Sequence, residues 1–198
     1  MSEVPAEVSD HLHGHFLRSG IEAAPDVAGV TFLGVERIEV LRFGPDDGVY
    51  HYVSLGCSRY PMADPSDPLA DPLRGPRAEV VMSLRAGPTT DGLARSIAVI
   101  AATPAVEGVV LGPDALVDLS GPLWTGSPFT AVLLGASEID DVALVPPRDP
   151  VRFLAAVPVT QTEAAWVRLK GAEAMRQAWA DDGVDVRDPQ RRASSAGG

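Results

Sequence analysis

The clearest pattern in the chain is a strict alternation of side chains over residues 49–55. One set is Val49, His51, Val53 and Leu55, and the other is Tyr50, Tyr52 and Ser54. A period of two is typical of a half-buried β-strand. Gly56 follows directly, where it allows a backbone conformation or a close approach that a side chain would obstruct. The tyrosine face could contact either a covering helix or a bound ligand. The covering helix is favoured, because aromatic side chains of strands usually lie in the core.

Further segments predict the rest of a β-sheet. Residues 35–43 and 49–55 are joined by the turn-forming run 44–48, Gly-Pro-Asp-Asp-Gly, which is typical of a β-hairpin. Alternation over residues 78–84 predicts a third strand. Later strands are expected at 130–135, 138–145 and 151–157.

Two helices are predicted in the first part of the chain, one near the N-terminus and one at the middle. Residues 5–18 place Val8, Leu12 and Phe16 (or Leu17) along one side.

The second helix, residues 90–103, places Leu93, Ile97 and Ile100 along one side. We expect it to end at Pro104, because proline cannot continue the helical hydrogen-bond ladder.

A final helix is predicted from a capping box, Thr160 followed three residues later by Glu163. Gly171 lies inside this helix and is expected to mark a close contact. The predicted buried stripe consists of Ala165, Leu169, Ala172, Met175 and Trp179.

Strands grouped in hairpins, with helices at the start, middle and end, predict an α+β fold. We expect a mixed, mainly antiparallel β-sheet flanked by helices, forming a single layered domain over residues 1–180 with its core at about 30–180. The polar residues 181–198 read as a disordered tail.

Composition excludes several classes of protein. A chain of 198 residues with 45% hydrophobic residues can bury a substantial core. The net charge of −11 disfavours binding to nucleic acid and to anionic membranes, and favours basic partners. A single cysteine excludes an internal disulfide. With no signal-peptide pattern and no apolar run of about 18 residues, we expect a soluble cytoplasmic protein.

The histidines near the N-terminus are a candidate metal site, because His11 and His15 share one helix face. His13 points elsewhere, and the flanking sequence lacks the glutamate of a helical metalloprotease motif. A solvated helix face is the favoured interpretation. Cys57, between Gly56 and Ser58, lacks a partner base in the pattern and is interpreted as a small buried hydrophobe.

An acidic cluster, Glu138, Asp140 and Asp141, is a second candidate cation site. Three carboxylates in one predicted strand do not make a calcium loop. The sequence contains neither a phosphate-binding glycine loop nor a dinucleotide fingerprint. We therefore expect no cofactor, no metal and no enzymatic activity.

The segment from Pro61 to Arg77 differs from the rest of the chain. It contains five prolines and repeats Asp-Pro at Asp64, Asp67 and Asp71. Loops longer than about 12–15 residues are uncommon inside compact domains and are often functional. The segment is either a variable surface insertion or a negatively charged lip that faces a partner.

These pieces occur in an order that resembles the Suppressor of Fused domain family. The run His51–Pro61 is similar to the family's His-Tyr-x-Ser-x-Gly-x-Ser segment. Residues 78–84 resemble its Glu-Leu-Thr-Phe-Arg-Leu strand, and residues 93–97 resemble its Leu-Ala-Arg-Tyr-Val helix. Residues 151–163 resemble its late strand entering a Thr-Glu-Glu helix. The resemblance covers about residues 30–180.

The resemblance implies an α+β protein-binding domain without catalytic function. Animal members restrain a transcription factor by holding an extended peptide between two lobes, and this chain matches only the N-terminal lobe. The matching strand makes Tyr52 and Ser54 candidate partner contacts, to which the acidic loop adds Asp64, Asp67 and Asp71. Arg59 and Tyr60-Pro61 depart from the family's pattern, so partner contacts are not carried over to them.

The resemblance is to bacterial single-domain members, which are suspected of being immunity proteins for secreted toxins. The high content of alanine, glycine, proline, aspartate and arginine is also typical of GC-rich bacterial genomes. An acidic domain would be steered onto a basic toxin. The alternatives are a small metal-dependent hydrolase built on His11, His15 or the Glu138 cluster, and a regulatory domain that binds a small molecule.

Overall fold

The computed structural model describes residues 3–63, 66, 69–87 and 89–195. Its helices are α1 (Val4–Arg18), α2 (Leu93–Glu107), α3 (Gln161–Lys170) and α4 (Ala172–Asp181). Its strands are β1 (Asp26–Phe32), β2 (Val35–Asp46), β3 (Val49–Leu55), β4 (Arg77–Arg85), β5 (Leu116–Asp118), β6 (Phe129–Ala136) and β7 (Val151–Thr160). A 3₁₀ turn, Cys57–Arg59, follows β3.

The strands form one seven-stranded sheet in the order β1-β2-β3-β4-β7-β6-β5. Every neighbouring pair is antiparallel except β4 and β7, which are parallel and bring the two halves of the chain together. Helices cover both faces of this sheet. The predicted α+β fold, with a mixed and mainly antiparallel sheet in a single layered domain, is confirmed.

One face of the sheet packs against α2. The predicted even-numbered face of β4 lies in this core, together with Tyr52 of β3. Tyr52 is 8% exposed, and its hydroxyl lies 3.2 Å from the Thr90 hydroxyl, just before α2. The preference for a helix over the tyrosine face is therefore confirmed for Tyr52.

The opposite face is covered by two separate groups of elements. Val53 and Val81 of this face pack with α1 and with the segment 139–144. Leu133 and Val159 pack with α3 and α4. A strip of the sheet at β4 and β7 lies between the two groups.

The predicted periodicity of α1 is confirmed. Val8, Leu12 and Phe16 are buried, whereas Leu17 is 58% exposed. The last position of the apolar stripe is therefore Phe16 and not Leu17. Phe16 stacks on Phe43 of β2 with ring centroids 4.2 Å apart. The apolar stripe thus fixes α1 on the β2–β3 hairpin.

The prediction that Pro104 ends α2 is wrong, because the helix continues to Glu107. Proline lacks the N–H that would bind the carbonyl of Ile100. The Thr103 hydroxyl donates to that carbonyl at 2.7 Å, so the acceptor keeps a partner inside the core. Gly108, with φ of 68°, then ends the helix.

The predicted strand at 138–145 is also wrong. Only Val142 pairs with a strand residue, Val151, and the segment is otherwise irregular. Its apolar side chains Ile139 and Leu144 cover the sheet beside α1 instead of joining the sheet. The sequence interpretation missed β1 and β5, since β1 is largely exposed and β5 has only three residues.

The single helix predicted after Thr160 is two helices that are separated at Gly171. This residue has φ of 91° and ψ of 167°, a conformation that only glycine adopts readily. Apart from its chain neighbours, no atom of the described residues lies within 4 Å of the place where a side chain would start, so the expected close contact is not seen among them. Ala165 and Leu169 are exposed, and the predicted stripe is correct only for α4.

The chain after α4 is packed against α3 rather than extended into solvent. Arg191 is 7% exposed and forms an ion pair with the fully buried Glu163 at 2.8 Å. The Glu163 carboxylate also accepts from the indole of Trp179 and from the backbone of Ser194. Residues 182–195 thus differ from the disordered tail expected at 181–198, and residues 196–198 lie outside the described residues.

Candidate functional site

The signature strand β3 runs into a turn that is organised by one buried carboxylate, that of Glu79 on β4. Its side chain is fully buried. The Ser54 hydroxyl donates to Oε2 at 2.5 Å, and Oε1 accepts from the backbone of Gly56 at 2.8 Å. Ser58 donates to Oε1 with both its backbone N–H, at 3.0 Å, and its hydroxyl, at 2.6 Å.

These bonds give the Ser-x-Gly-x-Ser spacing a physical meaning. Ser54 and Ser58 supply hydroxyl donors, while Gly56 has φ of 130°, which places its N–H against the carboxylate. A side chain at Gly56 would also lie 3.3 Å from the carbonyl oxygen of Arg37. The motif therefore wraps the chain around Glu79.

Burial raises the pKa of Glu79, and the hydrogen bonds from Ser54, Ser58 and Gly56 oppose that rise without cancelling it. No cation forms an ion pair with it within the described part of the chain. The carboxylate is thus held by neutral donors alone.

A second buried polar side chain, Arg77, connects the same turn to the proline-rich segment. Its Nη1 donates to the carbonyls of Ser58 and Arg59, and its Nη2 donates to the carbonyl of Leu73. Arg77 is 3% exposed. The two ends of the long loop are therefore tied together beneath the surface.

The turn lines a cleft of about 320 Å³, which we call the turn cleft. Its walls are the start of β2, the 3₁₀ turn and the C-terminal part of α2. The residues that line it are Gly34, Val35, Glu36, Ile38, Gly56, Cys57, Arg59, Tyr60, Pro61, Met62, Ala101, Pro104 and Ala105. Most of these are apolar or small, which is typical of a recognition cleft.

Five exposed apolar side chains either line the turn cleft or are close to its lining along the chain or through hydrogen bonds, and we call them the apolar rim: Leu33, Tyr60, Leu73, Val106 and Val110. They come from the β1–β2 turn, the segment after β3, the long loop and the end of α2. Exposed apolar side chains that are grouped beside a cleft are typical of interaction sites. Tyr60 is held in place because its hydroxyl donates to Glu36 at 2.8 Å.

The predicted partner contacts fall into three groups. Tyr52 and Ser54 are buried, so their side chains support the turn and α2 from inside and do not form part of the surface. Asp71 is exposed, and its carboxylate accepts from the backbones of Leu73 and Arg74, which lowers its pKa. Asp64 and Asp67 lie outside the described residues.

The structure also gives the positions of the histidines and Cys57. Within the described ranges, no three histidine, cysteine, aspartate or glutamate residues are grouped so as to hold a metal ion. His11 stacks on Phe153 of β7, which makes it part of the packing. Burial raises the pKa of Cys57 well above its usual range, in keeping with its interpretation as a packing residue.

Sequence reasoning missed Glu79 as the organiser of the motif. Its burial was not visible in the alternation of residues 78–84, where it occupies the face opposite Val80. The available signal was an isolated carboxylate in an otherwise apolar strand, next to a strand that ends in small donors. The apolar rim was also missed, because its members come from four separate segments.

Comparisons with known proteins agree with this architecture. The family model described as Suppressor of fused protein (SUFU) matches residues 34–192. A search of curated protein sequences found no match. No helix in the described segments is both long and apolar enough to span a membrane.

Three solved structures share the fold. A SUFU homologue from Neisseria gonorrhoeae aligns with a TM-score of 0.68 and 18% identity, over 98% of both chains. Sufu from a Sufu–Fu complex aligns with a TM-score of 0.65 and 17% identity, over 94% of this chain and 90% of that chain. Drosophila Suppressor of Fused aligns with a TM-score of 0.67 and 16% identity, over 94% of this chain but only 50% of that chain.

The family model spans well over half of the chain and includes the β3 turn, its Glu79 anchor and the Glu163–Arg191 pair. The chain belongs to the Suppressor of Fused protein family.

Proposed function

We propose that this chain is a non-enzymatic protein-binding domain that sequesters or neutralises a protein partner by occluding part of the partner's surface. The observation that carries this proposal is the apolar rim around the turn cleft, on a fold shared with Sufu from a Sufu–Fu complex. Leu33 and Tyr60 on this rim are more than half exposed. Such side chains gain free energy when a partner removes them from water.

Tyr60 is the proposed anchor of the interface. It is 59% exposed, yet its hydroxyl bond to Glu36 and the neighbouring Arg59–Glu36 ion pair at 2.9 Å restrict its orientation. A preorganised aromatic side chain loses little entropy on binding and is a frequent hot spot. A partner side chain entering the turn cleft would pack beside it.

The negative charge of the chain indicates the kind of partner that we propose. The net charge of −11 favours a basic protein, as does the acidic sequence of the loop that carries Leu73, with Asp64, Asp67 and the exposed Asp71. A basic toxin is the partner of this chemistry that fits the chain best, which would make the domain an immunity protein.

The rim is tested by replacing its exposed apolar side chains while leaving the buried turn intact. The variant Tyr60→Ala with Leu73→Ala removes two of them. Leu17→Ala with Leu169→Ala is a matched control, since these residues are 58% and 73% exposed but lie on α1 and α3. Affinity for a partner purified with the wild-type chain is measured by calorimetry.

We expect the rim variant to weaken binding at least about tenfold, because interface anchors carry most of the affinity. The control variant is expected to bind like the wild type. Equal loss in both variants, or no loss in the rim variant, would show that the partner binds elsewhere. Charge reversal at Asp71 is expected to reduce the association rate and its salt dependence.

A further inference from the structure

A second cleft, of about 530 Å³, lies on the sheet face opposite α2, and we call it the sheet cleft. It occupies the strip between the α1 group and the α3–α4 group. Val81 and Ser83 of β4 line it together with Ala155 and Val157 of β7, the two parallel neighbours. A concave volume of this size matches that of ordinary small-molecule sites.

Polar side chains line this cleft where a strand face would otherwise be apolar. His51 of β3 is only half buried, and its Nδ1 lies 2.8 Å from the Ser83 hydroxyl. The second ring nitrogen, Nε2, has no hydrogen-bond partner among the residues that the structure describes. Burial lowers the pKa of His51 and the Arg187 guanidinium lowers it further, while Asp46 and Glu138 act in the opposite direction; the net lowering favours the neutral ring at pH 7. In the tautomer whose Nδ1–H donates to the Ser83 hydroxyl, Nε2 is left as a hydrogen-bond acceptor.

Charges around the cleft favour a cation. Carboxylates line it from two sides, Asp46 at the end of β2 and Asp47 in the turn after it, and Glu138 from the segment after β6. None of the three forms an ion pair with another described residue. Of the two arginines that line it, Arg85 is already bonded to Asp185. Arg187 alone opposes the three carboxylates.

We propose that the sheet cleft binds an aliphatic polyamine. Two or more ammonium groups would be held by Glu138 on one side and by Asp46 and Asp47 on the other. An N–H of the ligand would donate to Nε2 of His51, and the methylene chain would lie over Val81 and Val157. This site is independent of the protein partner proposed above, because it lies on the opposite face of the sheet from α2.

Titration calorimetry with spermidine and putrescine tests the proposal on the full chain. We expect saturable one-to-one binding of spermidine, weaker binding of putrescine, and no binding of butane-1,4-diol or glutarate. Replacing Glu138→Gln or Asp46→Asn is expected to weaken spermidine binding about fivefold, the upper range for one partly exposed charge pair. His51→Asn is expected to weaken spermidine binding more than the carboxylate substitutions do. It is expected to leave the far-ultraviolet circular dichroism spectrum unchanged.

Matched controls separate a built site from general attraction to an acidic protein. Glu22→Gln and Glu107→Gln each remove one exposed carboxylate outside the cleft and are expected to leave affinity unchanged. Equal weakening by the control and cleft variants would overturn the proposal, as would absence of spermidine binding or preferential binding of glutarate. Asp46 and Glu138 are exposed and lie on separate segments, so if one of the two variants misfolds, the other still tests the proposal.

Discussion

Removal of the buried carboxylate of Glu79 tests how much this side chain contributes to the stability of the fold. In Glu79→Ala, the hydroxyls of Ser54 and Ser58 and the backbone N–H groups of Gly56 and Ser58 lose their common acceptor. Each buried donor left without an acceptor costs about 1–3 kcal/mol. Relief of a buried charge offsets part of this sum, so we expect a net loss of about 4 kcal/mol in the free energy of unfolding.

Glu79→Gln separates the hydrogen bonds from the charge. The amide oxygen at the Oε1 position keeps three donors, from Gly56 and Ser58, and the amide NH₂ group donates to the Ser54 hydroxyl. Only the Ser54 hydroxyl then loses its acceptor, so we expect a loss of about 1 kcal/mol.

The pH dependence of stability provides a second readout for Glu79. Its pKa in the folded protein is raised above its ordinary value of 4.5, so the folded state binds the proton more tightly. This contribution to stability is fully present below pH 4.5 and is lost as the pH rises through the folded-state pKa. Glu79→Gln is expected to lack this decline.

Urea unfolding monitored by tryptophan fluorescence measures both effects, since Trp124 and Trp179 are buried. Glu22→Ala, an exposed carboxylate, is the control and is expected to change stability by less than about 0.5 kcal/mol. A loss below about 1 kcal/mol in Glu79→Ala would refute the role given to this carboxylate.

Three further substitutions test other parts of the fold by the same unfolding assay. Arg191→Met leaves the buried Glu163 without its cation and is expected to cost about 3–5 kcal/mol. Burial acts to raise the pKa of Glu163, but hydrogen bonds, chiefly from Arg191, outweigh burial and lower the pKa. The stability that this group contributes to the wild type is therefore present above pH 4.5 and is lost on acidification. A wild-type stability that does not change with pH in this range would contradict this. Gly171→Ala, at φ of 91°, is expected to cost about 2 kcal/mol, and an unchanged midpoint would argue against backbone strain there. Thr103→Val leaves the Ile100 carbonyl without its donor and is expected to cost about 1 kcal/mol; no change would show that Pro104 needs no such compensation.

Much of the sheet follows directly from local patterns. Successive side chains of β3 and β4 enter the α2 core and the α1 core in turn, and most of them are buried. The period of two therefore predicts these strands correctly. The capping box at Thr160 is present as predicted, because Thr160 and Glu163 satisfy each other's backbone groups without help from distant residues.

The wrong predictions depend on contacts that a periodic pattern does not show, some of them local and some distant in sequence. Pro104 is tolerated because a neighbouring hydroxyl occupies the carbonyl it leaves unpaired. Residues 138–145 have a strand-like composition, but they cover the sheet instead of entering it. The C-terminal segment looked polar and unstructured, yet Arg191 is drawn into the core by a carboxylate 28 residues earlier.

The candidate site shows the same division. The family motif was recognisable from sequence, and its physical basis in Glu79 required the neighbouring strand to be in place. Tyr52 and Ser54 were predicted as partner contacts, and the structure places both side chains in the interior. The structure places the exposed apolar groups next to the motif, at positions such as Tyr60 and Leu33.

The central claim is that the apolar rim binds a protein partner, and parallel purification from the native source tests it most directly. Tagged wild-type chain, Tyr60→Ala with Leu73→Ala, and Leu17→Ala with Leu169→Ala are isolated side by side, and the amount of associated protein is measured by quantitative mass spectrometry. The proposal predicts one basic protein at stoichiometric amounts with the wild type and the α1–α3 control, and its loss from the rim variant. Equal recovery with all three chains, or no stoichiometric partner with the wild type, would contradict it.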